Sequence, residues 1–594
     1  MTTLSPPQTE INSLLALYFN GQIQEALGVI ETLTKSYPND PVLLNISGAC
    51  YASLGQPDVA VMYYEKTLDI KPDYAEAHNN LGVTLQELGQ LDAAVKSYEK
   101  ALAIKLHSLS QDNQTGYAEA FNNLGIALKE LGQLDIAINS YEKVIAIKPD
   151  FAEAHFNLAL SHQELGQLDA AVKSYEKALA IKPDYADAHT NLGFILQELG
   201  QLDEMVKCFK QVIAIKPDFA EAHNNLGNAF SNLGQLDDAI KCFERALAIK
   251  PDFFGVYSNL GLTLQELGQL DAAVKSYEKA IAIKPDFDEA HRNLGGTLLS
   301  LRRLDEALVS FERALVINPD LDFIYGNLIH IKMHLCIWGD LSSQLDELTI
   351  KINNSEKVIV PFDLLALIDN PEVQRKATEI FANEKFQKSY VLPEIGLYPL
   401  HKKIRIGYFS ADFREHPVAA LTAELYEIHD RNHFEIHAFS YGPEAKDKMH
   451  LRIKAGVDHF HDVHTMPDKD VVILARSLEI DIAVDLGGFT QDARTRIFAM
   501  SAAPIQASYI GYIGTMSANY YDYLLADQTL IPEENQKYYA EKIVYLPTYQ
   551  VNDSTQPPPS TSLTRQDVGL PETGFVFCCF NNNFKITPTT FDSW

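Results

Sequence analysis

The sequence predicts a helical repeat solenoid followed by a parallel α/β sheet covered by helices. Three observations carry that prediction. Proline returns every 34 residues through the first half of the chain. Within each period, apolar residues recur at helical spacing on both sides of a glycine. After Lys402 short apolar runs alternate with helical segments instead. With 46% hydrophobic and 22% charged residues in 594, there is ample apolar surface for packed cores. Acidic residues number 79 against 49 basic ones, a formal charge of −30 that repels phosphate backbones and anionic lipid. Nucleic acid and membrane are therefore excluded as main partners.

The repeats come first. Pro38 and Pro72 lie 34 residues apart, and Pro149, Pro183, Pro217, Pro251, Pro285 and Pro319 keep that step. The 77-residue gap from Pro72 to Pro149 is one period of 34 plus one of 43, which predicts an inserted loop at Leu106 to Gly116. In a period such as Ala152 to Tyr185, Leu158, Leu165, Ala171, Tyr175 and Ala178 flank Gly166, so each unit reads as a helical hairpin closed by Pro-Asp. A small residue in the first helix (Gly48, Gly82, Gly125, Ala159, Gly193, Gly227, Gly261, Gly295) admits a neighbouring helix. Alanine does the same in the second helix, with Met205 the exception, and Tyr64, Tyr98, Tyr141, Tyr175, Phe209, Phe243, Tyr277 and Phe311 fill the space between hairpins. These positions resemble the tetratricopeptide repeat, in nine copies over residues 7–321. Stacking such units implies a right-handed superhelix with a long concave groove. A degenerate tenth hairpin from Asp322, departing at Trp338-Gly339-Asp340, is expected to cap the array.

Asparagine occupies one place in almost every first helix, including Asn123, Asn157, Asn191, Asn225, Asn259, Asn293 and Asn327, with Ile46 the exception. Asparagine is a mediocre helix former, so packing preference does not select it. Its amide can hydrogen-bond a peptide backbone whatever the peptide's sequence. One reading is a ladder that holds extended polypeptide; the other is an amide that satisfies a neighbouring helix. The recurrent His78, His155, His189, His223 and His291 are read as partly exposed helix residues, too far apart for a metal.

Residues 322–400 read as capping helices and linker, with irregular helices from Leu341 to Ala382, and residues 401–550 as the α/β region. Strands are expected at Ile404 to Ser410, Phe434 to Tyr441, Ile480 to Leu486, Gln506 to Ile510, Tyr523 to Ala526 and Ile543 to Leu546. Ligands of parallel sheets sit beyond the carboxyl ends of the strands. The residues to inspect are therefore Asp412, His416 and Pro417 after the first strand. Asp485, Gly487, Gly488, Phe489, Thr490 and Arg494 follow the Ile480 run, and Gly511, Tyr512, Gly514 and Thr515 follow the Gln506 run. Paired glycines at such junctions let backbone N–H groups approach a phosphate or a sugar.

Four runs carry a resemblance: Ile406-Gly407-Tyr408 with Ser410 to Pro417, Asp485 to Thr490, Ala503 to Ala507 with Gly511 to Thr515, and Phe580 to Ile586. In this order, behind the repeats, they are similar to the protein O-GlcNAc transferase family. The resemblance implies an inverting transferase of the two-lobed GT-B fold, with a Rossmann-like N-terminal lobe. Such enzymes move N-acetylglucosamine from UDP-GlcNAc to Ser or Thr of proteins held by the repeats, without a metal or other cofactor. It implies an active-site role for His416, proposed in the family as a general base, with Asp485 nearby and Lys585 on the donor phosphates. Asn582, Gly514 and Thr515 are the other donor-binding residues implied. A lysine is a compact cation suited to a leaving diphosphate, and a neutral imidazole can take or relay a hydroxyl proton. The alternative for His416 is a residue that caps a helix or orients substrate.

Ile513 replaces a proline usual in the family, Phe584 a frequent tyrosine, and Phe489 a Tyr or His, so the donor is less fixed than the fold. Asp468 and Asp470 imitate a metal-binding pair but are read as an N-terminal helix cap with favourable dipole charge. His459, His461 and His464 lack a fitting carboxylate, so no metal site is expected. Residues 551–573, with Pro557-Pro558-Pro559, read as an inter-lobe linker, and 574–594 as the start of a C-terminal lobe that is otherwise absent. A cleft with one wall predicts little turnover. Two further readings are a non-enzymatic repeat scaffold for proteins and a Spindly-like O-fucosyltransferase using GDP-fucose. Expected partners are protein or peptide substrates, with a homodimer as a further option. Six scattered cysteines (Cys50, Cys208, Cys242, Cys336, Cys578, Cys579) without metal spacing, no run of about 18–20 apolar residues and a polar start predict a cytoplasmic protein.

Overall fold

The computed structural model describes residues 5–107, 114–396, 398–550, 553–554, 564–574 and 585–588. The chain forms two compact units, residues 1–272 and 273–594. The first is helical from α1 (Gln8–Phe19) to α15 (Phe254–Glu266). Its hairpins turn on glycines such as Gly89 and Gly166, both at φ +71°, a conformation that costs other residues a Cβ clash. The turn is closed by Gly89 N–H to the Gln86 carbonyl at 2.9 Å and Gln90 N–H to that of Leu85 at 2.8 Å. The inserted segment is shorter than predicted. One helix runs on to His107 and the next begins at Gln114, so the helical period is extended into the insertion from both sides.

Gly48, Gly82, Gly125, Gly193, Gly227 and Gly295 each face the aromatic ring of their own hairpin. A Cβ at Gly82 would lie 2.6 Å from Tyr98 Cε1, and the same lock recurs at Gly48 with Tyr64, Gly125 with Tyr141 and Gly227 with Phe243. The rings of Tyr98, Tyr141 and Phe243 are fully buried. The recurrent histidines hold a second local contact: Nε2 of His78, His155, His189 and His223 lies 3.0–3.1 Å from the carbonyl of Pro72, Pro149, Pro183 and Pro217. Each imidazole donates across the inter-repeat turn, which gives these histidines the structural role that spacing alone did not reveal.

The boundary falls within α16 (Leu270–Ile283), and the second unit continues with α17 (Asp288–Ser300) and α18 (Leu304–Ile317), followed by the tenth hairpin, α19 (Ile324–His334) and α20 (Leu341–Asn353). Then come the short α21 (Pro361–Leu364) and α22 (Pro371–Lys385). Gly326 allows the segment at Ile359 to pass directly over α19, and His330 Nδ1 lies 3.3 Å from Asp363 Oδ1. Burial lowers the His330 pKa to about 4 and raises that of Asp363 to about 6.

The sheet is all parallel, in the order β3-β2-β1-β4-β5-β6-β7. Its elements are β1 (Ile404–Ser410), α23 (Pro417–Ile428), β2 (Phe434–Ser440), α24 (Lys448–Gly456), β3 (His459–Asp462), α25 (Asp468–Ser477), β4 (Ile482–Asp485), α26 (Arg496–Ala499), β5 (Ile505–Tyr509), β6 (Tyr523–Ala526) and β7 (Lys542–Tyr545). Strand β3 falls where His459, His461 and His464 read as straddling a strand end, an expectation that carries no bounds. One face buries Phe409, Phe439 and Ala483 under α25 and α22 residues, including Val472 and Ala382. The other buries Ile406, Ile436 and Val484 with Ala419 and Ala423 of α23. On that second face, Val484, Ala507, Tyr523, Leu525 and Val544 line an apolar trough of about 570 Å³.

Candidate active site

The strand order reverses between β1 and β4, because the chain leaves β1 toward β2 and β3 and returns to the far side of β1 as β4. At such a switch point the loops after the two strands part to opposite faces and open a crevice at their carboxyl ends. The sequence motifs Ser410 to Pro417 and Asp485 to Thr490 are those two loops.

After β1, Ser410 Oγ accepts from the Asp412 N–H at 2.9 Å and tightens the turn. His416 is the N-cap of α23, with Pro417 in the first turn, and its Nδ1 accepts from the Val418 N–H at 3.3 Å. Asp412 Oδ2 stands 3.4 Å from the same nitrogen, and Arg414 Nη2 is 3.5 Å from Asp412 Oδ1. A nitrogen that accepts a backbone N–H offers its lone pair inward, so the neutral ring keeps its proton on Nε2. The His416 side chain is 37% exposed.

After β4, Asp485 is 1% exposed, and both its oxygens are engaged within the chain. Oδ1 accepts from the N–H groups of Gly487 and Gly488 at 2.9 and 3.1 Å, and Oδ2 from Tyr521 Oη at 2.5 Å. Burial raises its pKa, while these three donors oppose the shift. The carboxylate thus shapes the Gly-Gly turn and presents no oxygen to open space. Gly488 sits at φ +63°, with Tyr512 Cβ 2.5 Å from where its own Cβ would be, so no larger residue fits. Phe489 packs its ring on Phe381 and Phe386 at 5.2 and 5.8 Å, tying α22 and the residue after it to this loop.

After β5, Thr515 Oγ1 donates to Glu541 Oε2 at 2.8 Å, and Glu541 Oε1 accepts from the Met516 N–H at 2.8 Å. Thr515 and Gly514 are buried, whereas Ile513 stands out at the loop tip. The Thr515 hydroxyl therefore holds its own loop. Arg494, also singled out after β4, donates to Asp468 Oδ1 at 2.6 Å and to the Val463 and Met466 carbonyls. Asp468 is not the cap of α25, as expected: that position is Pro467, with no side-chain bond. Asp468 and Asp470 lie in the first turn, where their charge suits the dipole, and Asp468 is the partner of Arg494.

Lys585 is exposed at the head of the described residues 585–588, and Asn582 lies outside the described residues. The ladder asparagines Asn123, Asn157, Asn191, Asn225, Asn259, Asn293 and Asn327 are all half-buried. Asn80, Asn157 and Asn259 donate to the amide oxygens of Asn45, Asn122 and Asn224 at 3.3, 3.3 and 3.0 Å. Each acceptor stands one place before the equivalent position in the preceding repeat. Asn225 accepts from Asn224 at 3.3 Å. Sequence reasoning missed Tyr521 and Glu541, which fix the loops after β4 and β5. Their partners lie 36 and 26 residues away, so no local pattern marks them.

Residues 386–562 match the family model described as Glycosyl transferase family 41. Tetratricopeptide repeat models match at 14–75, 73–150, 163–200, 195–234, 220–253, 242–275 and 264–301, among others. The probable UDP-N-acetylglucosamine–peptide N-acetylglucosaminyltransferase SEC of Arabidopsis thaliana is 32% identical over 291 residues, 45% of this chain and 30% of that protein. The UDP-N-acetylglucosamine–peptide N-acetylglucosaminyltransferase of Caenorhabditis elegans is 33% identical over 160 residues, 26% of this chain and 14% of the relative. Among solved structures, a Thermobaculum terrenum O-GlcNAc transferase mutant aligns at 25% identity and TM-score 0.39, over 57% of this chain and 59% of that one. The chain spans less than a third of the length of these curated relatives. The chain therefore carries a region similar to glycosyl transferase family 41 behind an array of tetratricopeptide repeats.

Proposed function

We propose that this protein works in the transfer of N-acetylglucosamine from UDP-GlcNAc to Ser or Thr hydroxyls of polypeptides held by the repeats. The observation that carries the reading is the family 41 region, with its two motif loops at the β1/β4 switch point. In the reaction the acceptor oxygen bonds to the anomeric carbon as the bond to the diphosphate breaks, and negative charge grows on the leaving nucleotide. Lys585 supplies cationic charge for that group. His416 acts as a donor through Nε2–H and orients a substrate oxygen, because its Nδ1 is committed to the Val418 N–H. Asp485 is a positioning residue: it holds the Gly487 and Gly488 N–H groups in one arrangement, and Gly514 and Thr515 shape the neighbouring loop. The asparagines serve twice, since an amide that spends one hydrogen on the preceding repeat keeps a second donor for a peptide.

The test is a single turnover with protein in excess over radiolabelled UDP-GlcNAc and a Ser/Thr-rich peptide, so that a slow first event is counted. Labelled peptide is expected, abolished in Lys585→Ala, and reduced more by His416→Ala than by His416→Gln, which keeps an N–H. Transfer from GDP-fucose and not from UDP-GlcNAc would overturn the donor. Peptide retention without transfer from either, released when several asparagines become alanine, would leave a binding scaffold.

A further inference from the structure

The edge of the sheet carries a cluster that the reading above does not use. Glu435 and His437 are two residues apart on β2 and share a face, and His459 on β3 pairs directly with His437 in the parallel register. Glu435 Oε1 lies 2.8 Å from His459 Nε2 and 3.7 Å from His437 Nε2, and one ligand atom from each of the three residues falls within 4.8 Å of the others. Ligand atoms on a tetrahedral zinc ion stand about 3.3 Å apart, given bonds of about 2.0–2.2 Å. The spacing brackets that value.

Two independent features point to a ligand. His437 is 3% exposed, yet its Nε2 has no hydrogen-bond partner among the described residues. A buried imidazole nitrogen aimed at a carboxylate without bonding it is a costly arrangement unless something else fills its lone pair. The other ring nitrogen is provided for: His437 Nδ1 lies 3.1 Å from His461 Nε2, and His461 stacks on Phe439 with centroids 4.7 Å apart. With Nδ1–H donating to His461, the proton is off Nε2 and the ring is locked in place, the outer-shell support that ligating histidines receive. The second oxygen of Glu435 lies 3.4 Å from Arg405 Nε, whose charge Glu479 offsets at 3.0 Å from Nη1. His459 is about half exposed, which leaves one side open to water. His464 takes no part, since it bonds Asp462 at 2.7 Å.

We infer that Glu435, His437 and His459 form a site for one divalent first-row transition ion such as Zn²⁺, with water in the open position. Two imidazoles and a carboxylate are a donor set that such ions accept. The ion replaces the proton that His459 shares with Glu435 and cross-links β2 to the edge strand β3. The site lies toward the amino ends of these strands, away from the loops after β1 and β4, so its role is to pin the edge, not to take part in transfer.

The experiment uses the tag-free 594-residue chain, stripped with chelator and titrated with Zn²⁺ by calorimetry and with Co²⁺ by visible absorption. One equivalent is expected in the unaltered chain and in His464→Gln. Affinity should fall at least about tenfold in Glu435→Gln and in His459→Gln, two partly exposed positions that leave the fold intact by circular dichroism. Zinc should raise the unfolding temperature of the unaltered chain and not of these variants. No saturable equivalent, or one kept unchanged in both variants, would overturn the site and leave a hydrogen-bonded His459–Glu435 pair.

Discussion

At the scale of single residues, the loops of the candidate site are held by buried carboxylates whose acceptors are all spoken for. Replacing Asp485 by Ala strands two buried N–H groups and the Tyr521 hydroxyl. We expect about 3 kcal/mol of lost stability in urea unfolding, against about 1 kcal/mol for Tyr521→Phe, which removes one bond and no charge. If the two changes prove additive in a double-mutant cycle, the bond between them is not what holds the turn. Asp363 gives a pH test. Burial raises its pKa from 3.8 to about 6, so the folded chain holds a proton there that the unfolded chain has released. That contribution is complete below 3.8, and disappears as pH rises through about 6. Going from pH 7 to pH 5 should therefore favour the unaltered chain over Asp363→Asn by about 1 kcal/mol, read from unfolding curves at the two pH values. His330, pushed down from 6.5 to about 4, stays neutral when folded but is protonated when unfolded, so it lowers the stability of both proteins toward pH 5 and the comparison between them isolates Asp363.

At the scale of elements, the hairpin lock makes a sharp prediction. Gly82→Ala places a methyl 2.6 Å from Tyr98, an overpacking that should cost about 1–3 kcal/mol, and Tyr98→Leu should return part of it by making room. His189→Leu removes the donor to the Pro183 carbonyl and is expected to cost about 1 kcal/mol, while His189→Gln costs less. Thermal unfolding of the variants checks both. The same elements show what a sequence can reveal. Strands β1 and β6 were predicted residue for residue, because each is an apolar run with clear ends. The bounds of strand β3 escaped because His459-Phe460-His461-Asp462 has no apolar alternation and its extent is set by pairing with β2. The aromatic and glycine positions were visible as a pattern, but that each pair closes its own hairpin needed coordinates. Asp412, His416 and the Gly487-Gly488 turn were legible from their place after strands. The commitment of His416 Nδ1 to Val418, and of Thr515 to Glu541, was not, because geometry and not spacing decides which way a ring or hydroxyl points.

At the scale of the whole molecule, a formal charge of −30 opposes the folded state through self-repulsion. Exposed charges are screened beyond about 10 Å at 0.1 M salt. The unfolding temperature should therefore climb as sodium chloride is raised toward physiological strength, and a flat response would mean that local ion pairs already neutralise the surface. The self-contained hairpin lock reaches further than stability. From Pro149 to Pro319 the ring and the proline of each unit recur at an interval of 34 residues, so excising residues 152–185 rejoins like to like. Such a shortened chain should keep its helix content per residue in circular dichroism. A gene built this way can change its copy number by slippage during replication and still encode a foldable protein, so array length is free to drift between lineages.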